Sequence, residues 1–415
     1  MEKVLASLIT IGDELLIGQV VDTNSAWMAQ QLNDAGIWVQ RRVAVGDDAG
    51  AIRLALDQEG ALSKIILITG GLGPTADDIT KPVLAEYFGG RLIVDQATLD
   101  HVRFLFEKVF RRPGPMLERN LKQAEVPDVC TVLFNRIGTA PGMWFEKEGR
   151  VYVSMPGVPI EMKGLMQEEV LPRLRARFVT PRIEHRTVFT IGAGESMIAE
   201  TLVGFEAALP GEIKLAYLPH YGMVRLRLTA TNVDSGELDA QFAALCALVQ
   251  DITVVAEDLS MEEYVGRLLM ERGKTLATAE SATGGNLAHL VTGVPGSSHW
   301  YMGSIVSYDT SVKESLLGVP HDLIESEGVV SEAVVARMVK GLLDRIGADY
   351  GLATTGIMGP DGGTPETPVG TVWVGVGNRE KVRTQLFKFR FNRSTNIQLT
   401  SVNALNLLRL FVLED

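Results

Sequence analysis

Thr275-Leu276-Ala277-Thr278-Ala279-Glu280-Ser281-Ala282-Thr283-Gly284-Gly285 reads as a short apolar strand that runs through a polar turn into a helix predicted over residues 283–292. Such a junction points unpaired N–H groups and the positive end of the helix at whatever occupies the turn, which suits an anion or a developing oxyanion. Ser281 sits at that junction. Two more polar clusters follow strands: Tyr308 and Lys313 after the strand at 303–307, and the glycine-rich loop 356–371 after the strand at 350–354. Open α/β sheets collect their ligands at strand ends, so the three clusters read together as an active site.

A serine hydroxyl is a weak nucleophile until something takes its proton. His289 lies two turns down the predicted helix and is expected to pack against a neighbour. Lys313 is the better base, because a lysine desolvated near apolar or cationic groups loses its proton near neutrality. Alone it would read as a surface lysine; its company is what argues otherwise, with Tyr308 positioned to relay a proton or to hold the amine. Gly356, Gly359, Gly362, Gly363 and Gly370, with Thr355 and Thr364, suit a phosphate cradle, although the Lys-Ser/Thr ending of the nucleotide-binding P-loop is absent. Arg393, after the last strand, suits a bidentate phosphate contact, but a solvated arginine is an equal alternative. Phosphate clamp and Ser/Lys pair together imply hydrolysis or acyl transfer on a phosphorylated small molecule.

Outward from this segment, the chain alternates again at its other end. Strand signals at 4–9, 38–45 and 64–69 are separated by helix signals at 26–35, with Asn24 or Ser25 as cap, and at 48–58. That order belongs to a mostly parallel sheet. The first strand ends in Gly12-Asp13-Glu14, the third in Gly70-Gly71-Leu72-Gly73-Pro74-Thr75-Ala76-Asp77-Asp78. Asp13, Glu14, Asp77 and Asp78 would be neighbours in such a sheet and could hold a hard divalent cation through oxygen; the plainer reading is that Asp77 and Asp78 favour a helix N-terminus, with Thr75 or Asp77 as its cap. The turns around Asn135–Gly142 and Pro156-Gly157 bracket the same cleft, and Glu161 opens a helix where it faces a ligand or serves as a cap.

Between the two ends, residues 174–253 have a different texture, with strands at 186–191 and 222–229 and an amphipathic helix at 235–250. They are read as a small α+β unit, a spacer or dimerisation element. The predicted organisation is therefore two α/β domains with mostly parallel sheets, 1–172 and 254–415, joined by an α+β middle domain, 173–253. With 46% apolar and 22% charged residues, the composition is that of a globular protein. A net charge of −12 argues against a large nucleic-acid footprint. Cys130 and Cys246 have no zinc-like spacing and are expected to be reduced thiols. The start shows no leader pattern and no apolar run is long enough to span a bilayer, so a cytoplasmic location is expected.

The motif from Ala279 to Gly285, Tyr308 with Lys313, and Thr355–Pro365 resemble the carboxy-terminal domain of the CinA family, the nicotinamide mononucleotide deamidase domain. Gly12–Leu15, Asp22-Thr23-Asn24, the loop from Gly70 to Thr80, Gly138–Gly142 and Pro156–Met162 resemble that family's amino-terminal domain, whose fold is that of the molybdopterin-binding MoaB/MogA group. The resemblance covers nearly the whole chain. It implies hydrolysis of nicotinamide mononucleotide to nicotinate mononucleotide and ammonia by Ser281, with Lys313 as base, Tyr308 and Thr355 assisting, and Thr283, Gly284, Gly285, Gly356, Gly359, Gly362, Gly363, Thr364 and Arg393 binding substrate. N–H groups near Gly284 and Thr355 are the expected oxyanion donors. For the amino-terminal domain it implies cleavage of ADP-ribose to AMP and ribose 5-phosphate, with a divalent metal of the Mg, Mn or Co class on Asp13, Glu14, Asp77 and Asp78, and substrate on Gly12, Asn24, Gly70, Gly71, Gly73, Pro74, Thr75, Asn135, Pro156, Gly157 and Glu161. A homodimer is expected, with no membrane and no direct nucleic-acid partner. Members usually carry cysteine where this chain has Ala282, which favours Ser281 as the nucleophile. Phe391-Asn392 before Arg393, in place of a small glycine turn, weakens the assignment of Arg393. Two other readings stand beside this one: a non-catalytic module for a molybdopterin-like ligand, and an interaction partner in competence or recombination.

Overall fold

In the computed structural model, which describes residues 3–75, 77–111 and 117–415, the segment Ile65–Thr69 is buried at every position. It is β3 of a series that runs β1 (Leu5–Ile11), β2 (Trp38–Val45), β3, β4 (Leu92–Val94), β5 (Glu125–Pro127), β6 (Thr131–Leu133), β7 (Gly142–Lys147) and β8 (Arg150–Met155). The main sheet has the order β2-β1-β3-β8-β7-β6, while β4 and β5 form a separate ribbon. β2, β1, β3 and β8 are parallel; β7 is antiparallel to β8, and β6 to β7. Along β3 the alternation sends Ile65 and Leu67 to one core and Ile66 and Ile68 to the other. Each such side chain stabilises the fold by about 1.5–3 kcal/mol, and burial on both faces explains the unbroken apolar run.

The helices of this half are α1 (Asp13–Leu16), α2 (Thr23–Asp34), α3 (Ala49–Leu62), α4 (Thr80–Tyr87), α5 (Gln96–Phe104), α6 (Glu118–Leu121), α7 (Pro159–Leu165) and α8 (Leu171–Arg177). Two caps differ from expectation. α2 begins earlier than predicted because Asp22, not Asn24 or Ser25, accepts the Ser25 N–H at 2.9 Å. α4 has no side-chain cap at Ile79. Asp78 instead turns its carboxylate back on its own loop, accepting the N–H groups of Gly73 and Thr75 at 2.8 and 2.9 Å.

Contacts divide the chain into two units: residues up to Glu184 with Thr229–Ser235, and His185–Leu228 with Gly236–Asp415. The middle stretch supplies β9 (Ile183–Ile191), α9 (Glu195–Ala208), β10 (Ile213–His220), β11 (Met223–Thr231), α10 (Ser235–Leu248) and β12 (Thr253–Val255), with sheet order β10-β11-β9-β12. β10 escapes a periodicity reading because its end is exposed and carries Pro219.

The last segment runs α11 (Met261–Glu271), β13 (Leu276–Glu280), α12 (Asn286–Thr292), β14 (Tyr301–Val306), α13 (Thr310–Leu317), α14 (His321–Glu327), α15 (Glu332–Ile346), β15 (Tyr350–Gly356), β16 (Thr371–Gly377), β17 (Val382–Lys388) and α16 (Arg393–Glu414). Its sheet has the order β14-β13-β15-β16-β17, with β13 parallel to both neighbours and β16 and β17 antiparallel. One core packs β13 and β15 against α13, α14 and α15; the other packs the opposite face against α11, α12 and α16. Ser331 caps α15 as expected, accepting the Val334 N–H at 3.3 Å. α12 starts three residues later than predicted, because Gly284 and Gly285 take positive φ and spend themselves on a turn. Cys130 and Cys246 are free, and burial pushes both thiols up, Cys130 to about 11. Among the described residues no helix is long and apolar enough to cross a membrane.

Candidate active sites

β13 and β14 are parallel neighbours with Glu280 opposite Val306, so Ser281 and Ser307 leave the sheet side by side. The Ser307 N–H donates to the Glu280 carbonyl at 2.8 Å, and the Ser281 N–H to the Thr354 carbonyl at 3.0 Å. Lys313, wholly buried on α13, reaches back to the same edge. Its Nζ donates to the carbonyls of Ser307 and Tyr308 at 2.6 and 3.1 Å. Ala277 and Ala279 lie in the core beneath α13 to α15 and Ala282 in the opposite core. Alternation therefore turns Ser281 toward the side that carries Lys313.

Burial lowers the Lys313 pKa from the ordinary lysine value, opposed by the charge of Asp309, the cap of α13. The hydrogen bonding accommodates the neutral form. An uncharged amine has two N–H groups and one lone pair; the two carbonyls take both N–H groups and leave the lone pair to accept a proton. Tyr308 is exposed, and its hydroxyl accepts from Arg393 at 3.0 Å. Arg393 also donates to the Gly359 carbonyl at 2.9 Å. It stands in the first turn of α16, not in a loop after the strand, and Asn396 on the same helix donates to the Met358 carbonyl at 3.1 Å. Hydrogen bonds thus link Lys313, Tyr308, Arg393 and Gly359 at the end of the sheet from which Ser281 leaves.

Other predicted residues are occupied with the fold. The Thr355 hydroxyl donates to the Val329 carbonyl at 2.9 Å, and Thr364 accepts the Thr367 N–H within its own turn at 3.0 Å. Gly356, Gly359 and Gly363 let the backbone pass closely, since a Cβ would lie 2.8 Å from the Thr371 carbonyl oxygen, 2.6 Å from the Val369 side chain and 2.7 Å from the Val369 nitrogen respectively. Gly362 is exposed with φ near +92°, a conformation that favours glycine. His289 is exposed and packs against nothing in the core. The predicted free N-terminus of α12 is filled from within the chain. The buried Glu280 carboxylate accepts from Gly285, Leu287 and Ala288 N–H groups at 3.0, 3.0 and 2.8 Å and from the Thr283 hydroxyl at 2.8 Å. The Gly284 N–H is spent on the Ser281 carbonyl at 3.1 Å.

At the amino-terminal end of the chain, Asp13 and Asp47 follow the neighbouring strands β1 and β2. Each donates its N–H to the other's carboxylate, at 3.1 and 3.2 Å. Burial raises the Asp47 pKa, and the charges of Asp13, Glu14 and Asp77 raise it further against the Asp13 N–H bond that lowers it. Asp47 escaped a motif reading because, with Asp48 beside it, it reads as the acidic start of α3, which Asp48 caps. A cleft of about 490 Å³ is lined by Gly73, Pro74, Thr75, Pro156, Gly157 and Glu161 and by Phe106, Phe110 and Arg119. A smaller hollow of about 140 Å³ holds Glu14, Asn24, Gly70 and Gly157. Asn24 is tied to the Gly157 carbonyl at 2.7 Å. Asn135 organises its loop, accepting from Gly138 and donating to Glu161 at 3.0 and 2.7 Å. Burial raises the Glu161 pKa against that last bond. Gly12 and Gly71 take positive φ, and Pro156 receives the Thr69 hydroxyl at 2.8 Å. No three carboxylate, histidine or cysteine side chains among the described residues are placed to hold one metal ion, and Asp78 is committed to its loop.

A CinA-like protein of Cytophaga hutchinsonii is 43% identical over 98% of this chain and 97% of its own length. The chain belongs to the CinA family. A second CinA-like protein, from Flavobacterium psychrophilum, is 42% identical over 99% of both chains. Three family models divide the sequence: the "Probable molybdopterin binding domain" over residues 7–176, the "Damage-inducible protein CinA KH domain" over 185–253 and the "CinA C-terminal domain" over 258–412. A solved CinA superfamily protein of Klebsiella pneumoniae is 32% identical, covering 37% of this chain and 97% of its own, with a TM-score of 0.37. The CinA middle domain is thus KH-like, and the CinA amino-terminal domain is MoaB/MogA-like.

Proposed function

We propose that the carboxy-terminal site hydrolyses the carboxamide of nicotinamide mononucleotide. Ser281 Oγ attacks the carboxamide carbon while Lys313 takes its proton and returns it to the departing nitrogen. The C–N bond breaks, ammonia leaves, and a nicotinoyl ester remains on Ser281. Water then attacks that ester, which frees nicotinate mononucleotide and restores the hydroxyl. Arg393, held by Tyr308 and Gly359, receives the phosphate. The observation that carries the reading is the buried Lys313 amine, with both N–H groups on the carbonyls beside Ser281.

For the amino-terminal cleft we propose cleavage of ADP-ribose to AMP and ribose 5-phosphate. Asp13 and Asp47, with Glu14 and Asp77 near them, would hold a divalent ion, which when bound neutralises charge on the diphosphate. Magnesium-class ions take one or two carboxylates and complete their shell from water and substrate phosphate, so a facing pair of carboxylates fits and a protein cage is not needed. The test is one preparation of full-length protein given each substrate in turn. Ammonia from nicotinamide mononucleotide, and AMP from ADP-ribose only with added metal, are the expected products. Without ammonia the amidase reading fails; without AMP the cleft is a binding module.

A further inference from the structure

The Glu280 carboxylate is fully buried beside the nucleophile, yet it faces the core of α11, α12 and α16 and not Lys313. One oxygen accepts the N–H groups of Gly285 and Leu287 and the Thr283 hydroxyl, all at 2.8–3.0 Å. The other accepts the Ala288 N–H at 2.8 Å and the Ser304 hydroxyl at 3.3 Å. Thr283 is tied in turn to Thr354 at 2.8 Å, on the strand that also receives the Ser281 N–H. The turn 281–285 is therefore fastened on both sides. With Ser281 and Gly284 N–H groups bonded to Thr354 and Ser281 carbonyls, two backbone donors in it remain. The N–H groups of Ala282 and Thr283 make no hydrogen bond among the described residues, although both residues are buried. Buried N–H groups are nearly always paired, so a pair left open beside a nucleophile points to a ligand atom.

We infer that Glu280 is a positioning residue. By filling the start of α12 with the chain's own charge, it holds the turn so that the Ala282 and Thr283 N–H groups receive the oxyanion that forms when Ser281 attacks. The inference rests on the amidase reading for its substrate and not for its geometry. As Ser281 Oγ bonds to the carboxamide carbon, the carbonyl π pair moves onto oxygen, and the two N–H groups stabilise that charge there and not in the bound amide.

The test uses full-length Glu280→Gln, in which an NH₂ replaces one acceptor and meets backbone donors. Removal of a single oxyanion donor costs on the order of 10²–10³ in kcat, so ammonia release from nicotinamide mononucleotide should fall about a hundredfold in kcat with KM within twofold. Thr283→Val should lose about tenfold in kcat, and Thr283→Ser, which keeps the hydroxyl, should recover most of that loss; this pair decides if Glu280→Gln fails to fold. The rate at which a fluorophosphonate labels Ser281, forming the O–P bond and expelling fluoride, should fall in parallel. That second readout separates the two claims. Wild-type protein that labels at Ser281 but releases no ammonia refutes the amidase reading alone. Unchanged kcat and labelling in folded Glu280→Gln, or a change confined to KM, overturns the positioning role.

Discussion

The two strand-end regions of this CinA protein share an architecture and differ in how their charge is settled. In the carboxy-terminal site the chain brings its own anion: Glu280 neutralises the start of α12, and the buried Lys313 amine is held by carbonyls. At the ends of β1 and β2 in the amino-terminal half, Asp13 and Asp47 each accept the other's N–H, and burial first, then the charges of Asp13, Glu14 and Asp77, raise the Asp47 pKa. The buried lysine of this half, Lys81, is turned away onto the Gln123 carbonyl at 2.6 Å. One region thus settles its charge within the chain, whereas the other keeps an excess of carboxylate, which is what the proposed divalent ion would offset.

The comparison can be broken first where the effect is largest. Ser281→Ala should lower ammonia release by at least about three orders of magnitude, as expected for a lost nucleophile, and leave AMP release from ADP-ribose unchanged. Lys313→Met should lose about as much, and the orphaned Ser307 and Tyr308 carbonyls should cost about 1–3 kcal/mol of stability in a denaturant melt. Next, Asp13→Asn should lower AMP release about 10–100-fold and raise the metal concentration at half-maximal rate, in keeping with changes around metal ligands. Ammonia release should not respond to metal in either protein.

The smallest effect belongs to Lys81, whose pKa burial lowers from 10.5 to about 8, against the charges of Glu125 and Asp78. Below pH 8 the lysine is protonated in both folded and unfolded chains, and the cost of burying its charge is fully present. Between about 8 and 10.5 the unfolded chain binds more protons, so stability rises with pH. The gain is up to about 3 kcal/mol at 1.36 kcal/mol per pKa unit. Urea unfolding at pH 7.5 and pH 10 should show this gain in the native protein and not in Lys81→Met.

Much of the frame was legible because apolar runs such as Ile65–Ile68, buried on both faces, leave only a parallel-sheet reading. The strand-end positions of the glycines and of Ser281 and Tyr308 were legible for the same reason, since sheet topology fixes where strand ends fall. Glu280 was not. Spacing marks a carboxylate before a serine but cannot tell that it turns back onto the N–H groups of the following helix. Asp78 is the same: its position suits a metal ligand or a helix-starting charge equally, and only the closed loop at Gly73 and Thr75 reveals its use. Asp47 carries no motif at all, and its meaning comes from the β1–β2 register that brings it to Asp13.

If an uncharged Lys313 activates Ser281, the pH dependence of kcat for ammonia release from nicotinamide mononucleotide must report the lysine's titration. The rate should rise as the amine loses its proton, with a midpoint below the ordinary lysine value, and Lys313→Met should keep a residual rate without that rise. Equal rates and superimposable profiles in the two proteins would contradict that activation.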